Sequence, residues 1–282
     1  MILAKNFSIC ILANNEISKN IKYVKQIYEF FNDKDISCCV AETSKDEFEN
    51  YIFTNIPKDA KLLIALGGDG TMLSAARNAI QNNIPFFGFN TGTLGFLSEN
   101  KASKINEVLN NLMNKKCHIE ERMMVKAYKD EKFLGIALND IIIAREGFSR
   151  IVSMETSIDG SILNKYKGDG LIVSTPTGST GYNLSLGGPI VSPKASNLIL
   201  TPIACHTLLA RPIILSSEEE IDIHILRSRK TQEKEAILTI DGRRNIDLHS
   251  GDKIHIKASK LKAKFLKFDE DDFFTICNKK LK

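Results

Sequence analysis

The first half of the chain alternates short apolar runs with stretches whose apolar residues recur every three or four positions. Residues 7–13 (FSICILA) form an unbroken apolar run with β-branched members, the pattern of a buried strand. Ile17, Ile21, Val24, Tyr28 and Phe31 follow at helical spacing, with Asn14 or Asn15 available as a cap. Residues 37–42 (SCCVAE), 62–66 (LLIAL) and 86–89 (FFGF) read as further strands. Between and after them come two helical patterns, MLSAARNAI and residues 103–113, the latter with Ile105, Val108, Leu109 and Leu112 on one face. Strands too apolar to alternate, separated by helices, imply a parallel sheet covered on both sides. Ligands on such sheets bind beyond the carboxyl ends of the strands.

From about residue 119 the pattern becomes strand after strand, with hairpin turns at Asp159-Gly160 and Asp241-Gly242. ILTI and KIHIKA alternate as half-buried strands do, and one short helix fits after Thr180. The expected architecture is therefore an α/β N-terminal domain with a parallel, Rossmann-like sheet, plus an all-β, sandwich-like C-terminal domain. The boundaries expected are residues 1–115, 116–261 and a C-terminal segment, 262–282, that returns to the first domain.

A length of 282 residues fits about two domains. Hydrophobic residues at 43% and charged residues at 26% exclude a chain disordered throughout, a collagen-like fibre and a small disulfide scaffold. The net charge of +4 is too weak to point to nucleic acid and is compatible with small anionic ligands. No apolar stretch approaches the ~18 residues of a membrane span. The six cysteines include no C-x-x-C pair, and most lie in strand-like runs. They read as free, mostly buried thiols in a reducing cytoplasm, not as a metal site.

Four segments carry candidate chemistry. Gly67-Gly68-Asp69-Gly70-Thr71 lies between a strand end and a helix start, where unpaired amides and the helix dipole favour phosphate oxygens. Asp69 would repel a phosphate, so an acid there wants a proton or a metal ion; the plainer alternative is a tight turn with Asp69 as helix cap. Asn90 to Gly95 (NTGTLG) follows another strand of the same sheet and can line the same crevice, though taken by itself a plain strand-to-loop connection is the favoured reading. Asn139-Asp140 interrupts an apolar strand, and one of the two must face inward or into a cleft. There it needs a hydrogen-bonding partner, either structural or a ligand. Residues 176–185 (PTGSTGYNLS) crowd hydroxyls into one loop, suited to ribose and phosphate groups or to an elaborate helix cap. Just upstream, Lys167 and Asp169 stand two apart, able to share one side of an extended chain or to form a surface turn.

Together, GGDGT after a strand, ND within a strand, and TPTGSTGYNLS after KGDGL resemble the NAD kinase family. Diacylglycerol kinases, sphingosine kinases and phosphofructokinases carry loops similar to GGDGT; the long TPTGST segment makes the assignment specific. The resemblance runs from the first strand to about Arg243. It implies ATP-dependent phosphorylation of the adenosine-ribose 2′-hydroxyl of NAD, giving NADP. ATP, or polyphosphate, would be the donor, Mg²⁺ or another divalent cation the cofactor, and a homo-oligomer (dimer or tetramer) the assembly; no nucleic-acid or membrane partner is implied. By position, Asp69 matches the family's proton acceptor, with Gly70 beside it. Asn139 and Asp140 match the pair that holds the dinucleotide. Arg150, Lys167, Asp169 and Ala204 fall at ligand-contact positions, and Thr180, Gly181, Tyr182, Asn183, Leu184 and Ser185 match the adenosine-side loop. No metal ligands are identified. Two departures stand out: Gly181 where the family usually has Ala, and Arg243 where many members have Gln. A lipid or sugar kinase on the same scaffold and a non-catalytic dinucleotide sensor are the competing readings.

Overall fold

The computed structural model describes residues 8–13, 18–45, 51–92, 95–145, 151–206, 210–227, 235–268 and 273–281. Asn14, Asn15, Ile17, Thr93, Leu94 and Arg150 lie outside the described residues. The chain divides into two compact units, residues 1–121 with 263–282, and residues 122–262.

The first unit is built on one sheet. Its strand order is Ser37–Val40, Ser8–Ala13, Ala60–Leu66, Phe86–Asn90, Ala263–Lys267 and His118–Arg122. The pairings of Ser8–Ala13 with Ser37–Val40 and Ala60–Leu66 are parallel, as are those of Phe86–Asn90 with Ala60–Leu66 and Ala263–Lys267. Leu62, Ile64 and Leu66 join a core with Ile27 and Phe31 of the helix Ser18–Asn32 and with Ile105, Val108, Leu109 and Leu112 of the helix Ile105–Met113. Leu63 and Ala65 alternate to the other face, where the helix Asp69–Asn82 buries Met72, Ala75, Ala76 and Ala79. Each fully buried Leu, Ile or Phe stabilises by roughly 1.5–3 kcal/mol, which is why unbroken apolar runs occupy the middle of this sheet.

Three local expectations shift. The first helix turns inward on Asn20, Ile27 and Phe31, while Ile21 and Tyr28 are exposed. Two overlapping sets of three-and-four spacings share Val24 and Phe31, and the set that also contains Ile27 faces the sheet. Residues 37–42 are not one strand: Ser37–Val40 belongs to the main sheet, and Glu42–Lys45 pairs with Tyr51–Thr54 in a separate antiparallel hairpin. Of the six cysteines, all free, only Cys10 is fully buried. Burial and the neighbouring Cys39 thiol push Cys10 far up, and burial pushes Cys38 up to about 12. Such thiols are poor nucleophiles.

The second unit is two antiparallel six-stranded sheets. One runs Lys132–Ala137, Val125–Lys129, Lys253–Ala258, Ile221–Leu226, Val152–Ile158, Ser161–Gly168; the other runs Ile213–Ser216, Asn197–Ile203, Gly170–Ser174, Asp140–Ala144, Ala236–Ile240, Arg243–Leu248. Val125, Met154, Ile223 and Ile254 from the first meet Ile141, Val173, Leu200 and Leu238 from the second in one core. Alternation in ILTI and KIHIKA has this origin, with one side chain in two facing the other sheet. Asp159-Gly160 and Asp241-Gly242 both have positive φ at both residues, the geometry of a tight two-residue hairpin turn.

Candidate active site

In the first unit the chemistry gathers at the bend after Ala60–Leu66. Asp69 opens the helix Asp69–Asn82 but does not cap it; the cap position is Gly68, which makes no side-chain bond. The Asp69 carboxylate instead reaches a loop nearly thirty residues on. Phe96 N–H donates to its Oδ2 at 2.8 Å, and the Leu97 and Ser98 N–H groups donate to Oδ1 at 3.0 and 3.2 Å. Gly95 makes room for this: a Cβ there would stand 1.9 Å from Asp69 Oδ1. The loop is fastened in turn, since Ser98 Oγ donates to the Gly67 carbonyl at 3.1 Å and Asn100 Nδ2 to the Gly88 carbonyl at 3.0 Å. Gly68 and Gly70 are exposed, with nothing within 4 Å of where a Cβ would sit. The carboxylate is thus held rigidly beside an open glycine edge.

The Asn90–Gly95 turn splits between two tasks. Its first residues, Asn90, Thr91 and Gly92, line a cavity of about 220 Å³ together with Tyr23, Lys101 and Ser103. Its last residue, Gly95, packs against Asp69.

In the second unit, Asn139 and Asp140 meet the hydroxyl-rich loop. The Thr175 N–H donates to the Asn139 carbonyl at 2.8 Å, and Thr175 Oγ1 donates to the Leu138 carbonyl at 2.5 Å. A Cβ on Gly181 would lie 3.5 Å from Asn139 Nδ2 and 3.9 Å from Asp140 Oδ2, so this loop covers the pair. Most of the hydroxyls fasten the loop to itself or to neighbouring backbone. Thr175 Oγ1 accepts the Gly178 N–H, Ser179 Oγ bridges both backbone groups of Val191, and Thr180 Oγ1 donates to the Thr177 carbonyl. The elaborate-cap reading therefore accounts for Thr175, Ser179 and Thr180. Three buried polar atoms nevertheless have no partner: Asn139 Oδ1, Thr177 Oγ1 and Asn183 Nδ2. An unpaired buried polar atom costs roughly 1–3 kcal/mol, and a polar ligand recovers it. Asn183 is fully buried, with Oδ1 accepting from Thr201 Oγ1 at 2.7 Å, while Tyr182 and Ser185 are exposed.

Asp140 is 5% exposed, and burial together with the nearby Asp241 carboxylate pushes its carboxyl up to about 7. Asp241 was legible in the sequence only as a turn residue. Its side chain accepts the N–H groups of Leu138, Asn139 and Asp140 at 2.9, 2.7 and 3.2 Å. Arg243 begins the strand that follows this turn, at the same end of the sheet.

The remaining expected residues form a separate cluster. Asp169 is gripped by Arg145, with Nε 2.6 Å from Oδ1 and Nη2 3.2 Å from Oδ2. Asp169 N–H donates to the Ile203 carbonyl, and His206 N–H donates to the Lys167 carbonyl, which brings Lys167 and Asp169 alongside Ala204. Ala204 is exposed and left-handed, φ 44. This cluster and the Asn139–Asp140 cluster occupy opposite ends of one strand pair, Ala144 facing Gly170 and Asp140 facing Ser174. Four residue steps at about 3.4 Å separate them by roughly 14 Å. Among the described residues, no group of three or more His, Cys, Asp or Glu side chains is placed to hold a metal ion. No helix among them is long and apolar enough to cross a membrane.

The first unit thus holds a carboxylate at the carboxyl edge of a parallel sheet, and the second a buried amide–acid pair; the class of protein, a kinase acting on a nucleotide, comes from the family match. Residues 9–117 match the ATP-NAD kinase N-terminal domain and residues 138–268 the ATP-NAD kinase C-terminal domain. The NAD kinase of Lachnoclostridium phytofermentans is 42% identical over 277 residues, covering 96% of this chain and 97% of that protein. The NAD kinase of Aquifex aeolicus is 39% identical over 230 residues, covering 80% and 82%. The chain belongs to the NAD kinase family, whose reaction is the ATP-dependent phosphorylation of NAD, a transfer to an alcohol. Two solved structures share the fold: yeast NADH kinase complexed with NADH, TM-score 0.83 at 24% identity over 98% of this chain and 87% of that one; and an Archaeoglobus fulgidus NAD kinase in complex with ATP, TM-score 0.75 at 24% identity over 93% and 94%.

Proposed function

We propose that this chain transfers the γ-phosphoryl group of ATP to the 2′-hydroxyl of the adenosine ribose of NAD, with Asp69 accepting the hydroxyl proton. The observation that carries this reading is the three-amide grip on Asp69. A carboxylate offers about four acceptor positions, and the amides of Phe96, Leu97 and Ser98 take three. What remains is directed and rigid, so a ribose hydroxyl is oriented without the carboxylate having to be ordered first. Phosphoryl transfer passes through a loose transition state in which the proton leaves late. Asp69 therefore orients the attacking oxygen and takes the proton as the new P–O bond completes, a contribution on the order of 10²–10⁴ in rate.

Asn139, Asp140, Thr180, Gly181, Tyr182, Asn183, Leu184 and Ser185 are proposed to hold the dinucleotide, with the unpaired Asn139 Oδ1, Thr177 Oγ1 and Asn183 Nδ2 offering its polar edges partners. Gly70 lies at the substrate beside Asp69, and Arg243 borders the same end of the second unit. A divalent cation accompanies the donor in this reading. The described side chains form no cage for it, so it would be carried on the donor's phosphates, where such ions keep much of their shell as phosphate and water.

The opposite-end cluster of Lys167, Asp169 and Ala204 supports a homo-oligomer, because one chain does not gather all its expected ligand contacts at one place. The strand Ser161–Gly168 that carries Lys167 is a sheet edge with exposed Ile162 and Leu163. Light scattering tests the assembly. Six cysteines that form no disulfide fit a cytoplasmic setting.

The test of the reaction is Asp69→Asn with NAD, ATP and Mg²⁺. NADP formation is expected to fall by about 10² or more, with NAD binding retained. Near-normal turnover removes Asp69 from the role. Diacylglycerol and fructose 6-phosphate, assayed alongside, are expected to be inert.

A further inference from the structure

We infer that Asp241 is a positioning residue for the dinucleotide site: its carboxylate holds Leu138, Asn139 and Asp140 so that the Asn139 carboxamide and the Asp140 carboxyl face the ligand. The inference deepens the proposed reading of Asn139 and Asp140 and rests on it.

Asn139 interrupts the chain between the strands Lys132–Ala137 and Asp140–Ala144, where ladder bonding lapses. Its backbone is held from both sides. Its N–H donates to Asp241 Oδ1 at 2.7 Å, and its carbonyl accepts the Thr175 N–H at 2.8 Å. Asp241 Oδ1 also accepts the Asp140 N–H at 3.2 Å, Oδ2 accepts the Leu138 N–H at 2.9 Å, and the Asp241 N–H donates to the Asp140 carbonyl at 2.9 Å. With the backbone so fixed, the Asn139 side chain lies against Gly181 with its Oδ1 unpaired.

A mere turn residue has no need of this. Asn-Gly makes the same hairpin turn as well as Asp-Gly does. Yet Asp241 is nearly buried and brings a second acid beside Asp140, which is costly unless the charge has work among the amides. The segments packed around Asp140 carry few other charges. Gly170–Ser174, Thr177–Ser185, Ala137–Asn139 and Ala236–Ile240 contain none, and beyond Asp241 the next described charged side chain along that turn is Arg243. Asp241 is the charged group whose field raises the Asp140 carboxyl.

The substitution Asp241→Asn separates the two roles. It preserves the turn, but it removes the charge and sets an NH₂ against at least one amide donor. NAD binding is followed by calorimetry across pH 5 to 9, independently of turnover, so that loss of kinase activity by itself does not decide the outcome. In the natural protein, NAD affinity is expected to change through a transition near neutrality that belongs to Asp140. In Asp241→Asn, affinity is expected to fall on the order of tenfold, the scale of one lost charged hydrogen bond. The transition is expected to move to lower pH, because Asp140 has lost its negative neighbour. A folded Asp241→Asn protein with unchanged affinity and unchanged profile overturns the inference. Should Asp241→Asn fail to fold, Asp140→Asn supplies the second arm. It is expected to abolish the near-neutral transition, and persistence of that transition overturns the inference equally.

Discussion

Lys267, on the strand Ala263–Lys267, pairs with Glu99, the residue that follows the three amides gripping Asp69. Both side chains are largely buried, 13% and 14% exposed. Thirteen residues further on, Lys280 lies over the Phe96 ring, 4.3 Å from its centroid. The loop that aims the candidate base is thus steadied twice from the last segment of the chain. Breaking a buried pair by removing one partner costs about 3–5 kcal/mol, and partial exposure puts this one toward the lower end. Lys267→Met is expected to lower the thermal midpoint by several degrees and to reduce kcat more than it changes KM for NAD. Lys267→Arg is expected to restore most of both. The exposed pair Lys25–Glu29, 75% and 59% exposed, is the control. Lys25→Met is expected to change stability by less than about 1 kcal/mol.

Gly95→Ala puts a methyl where the Asp69 carboxylate now lies. The carboxylate has to leave its amides or the loop has to open. Turnover is expected to fall about as far as in Asp69→Asn, on the order of 10² or more, while NAD titration calorimetry still shows binding. Unchanged turnover would show that the grip on Asp69 is dispensable.

Ala204 adopts a left-handed conformation that costs a non-glycine residue roughly 1–2 kcal/mol. Glycine relieves the strain but loses more entropy on folding. Ala204→Gly is expected to raise the denaturation midpoint modestly, by up to about 1 kcal/mol of stability. Chemical denaturation with an unchanged m-value checks it.

Asp140 makes stability depend on pH in the direction opposite to a salt-bridged acid. Its carboxyl is raised from 3.8 to about 7 in the fold, so between those values the folded chain holds a proton that the unfolded chain has released. Stability is therefore greatest below pH ~4 on this account and declines as pH rises toward ~7. Asp140→Asn is expected to flatten that decline and to be the more stable form at pH 8 by as much as a few kcal/mol. Equilibrium unfolding at pH 5 and pH 8 decides it.

The sheet types of both units, mostly parallel in the first and antiparallel in the second, follow from patterns visible in the chain. Apolar runs such as LLIAL could only be buried on both faces, and the Asp-Gly pairs could only turn. What was hidden depends on distance along the chain. For Asp69 a helix cap stayed open beside a chemical role, because nothing local says that its carboxylate reaches residues 96–98. Asp241 looked like a turn because its amide partners lie about a hundred residues earlier. The inward face of the first helix was ambiguous since two spacings shared Val24 and Phe31. The hydroxyls of residues 175–180 promised ligand contacts, yet most are consumed by backbone of their own loop and its neighbours, a competition that composition does not reveal. Lys167 and Asp169, like Asn139 and Asp140, fall at ligand-contact positions by resemblance, and only strand register shows the two pairs at opposite ends of one strand pair.

The strand Ala263–Lys267 sits between Phe86–Asn90 and His118–Arg122, inside a sheet whose other members come from the start of the chain. During synthesis, therefore, the first unit leaves the ribosome with a gap in its sheet. The whole intervening β unit is made before the gap can be filled. Until residues 263–267 emerge, Glu99 has no Lys267 to meet, and the loop that grips Asp69 lacks that support.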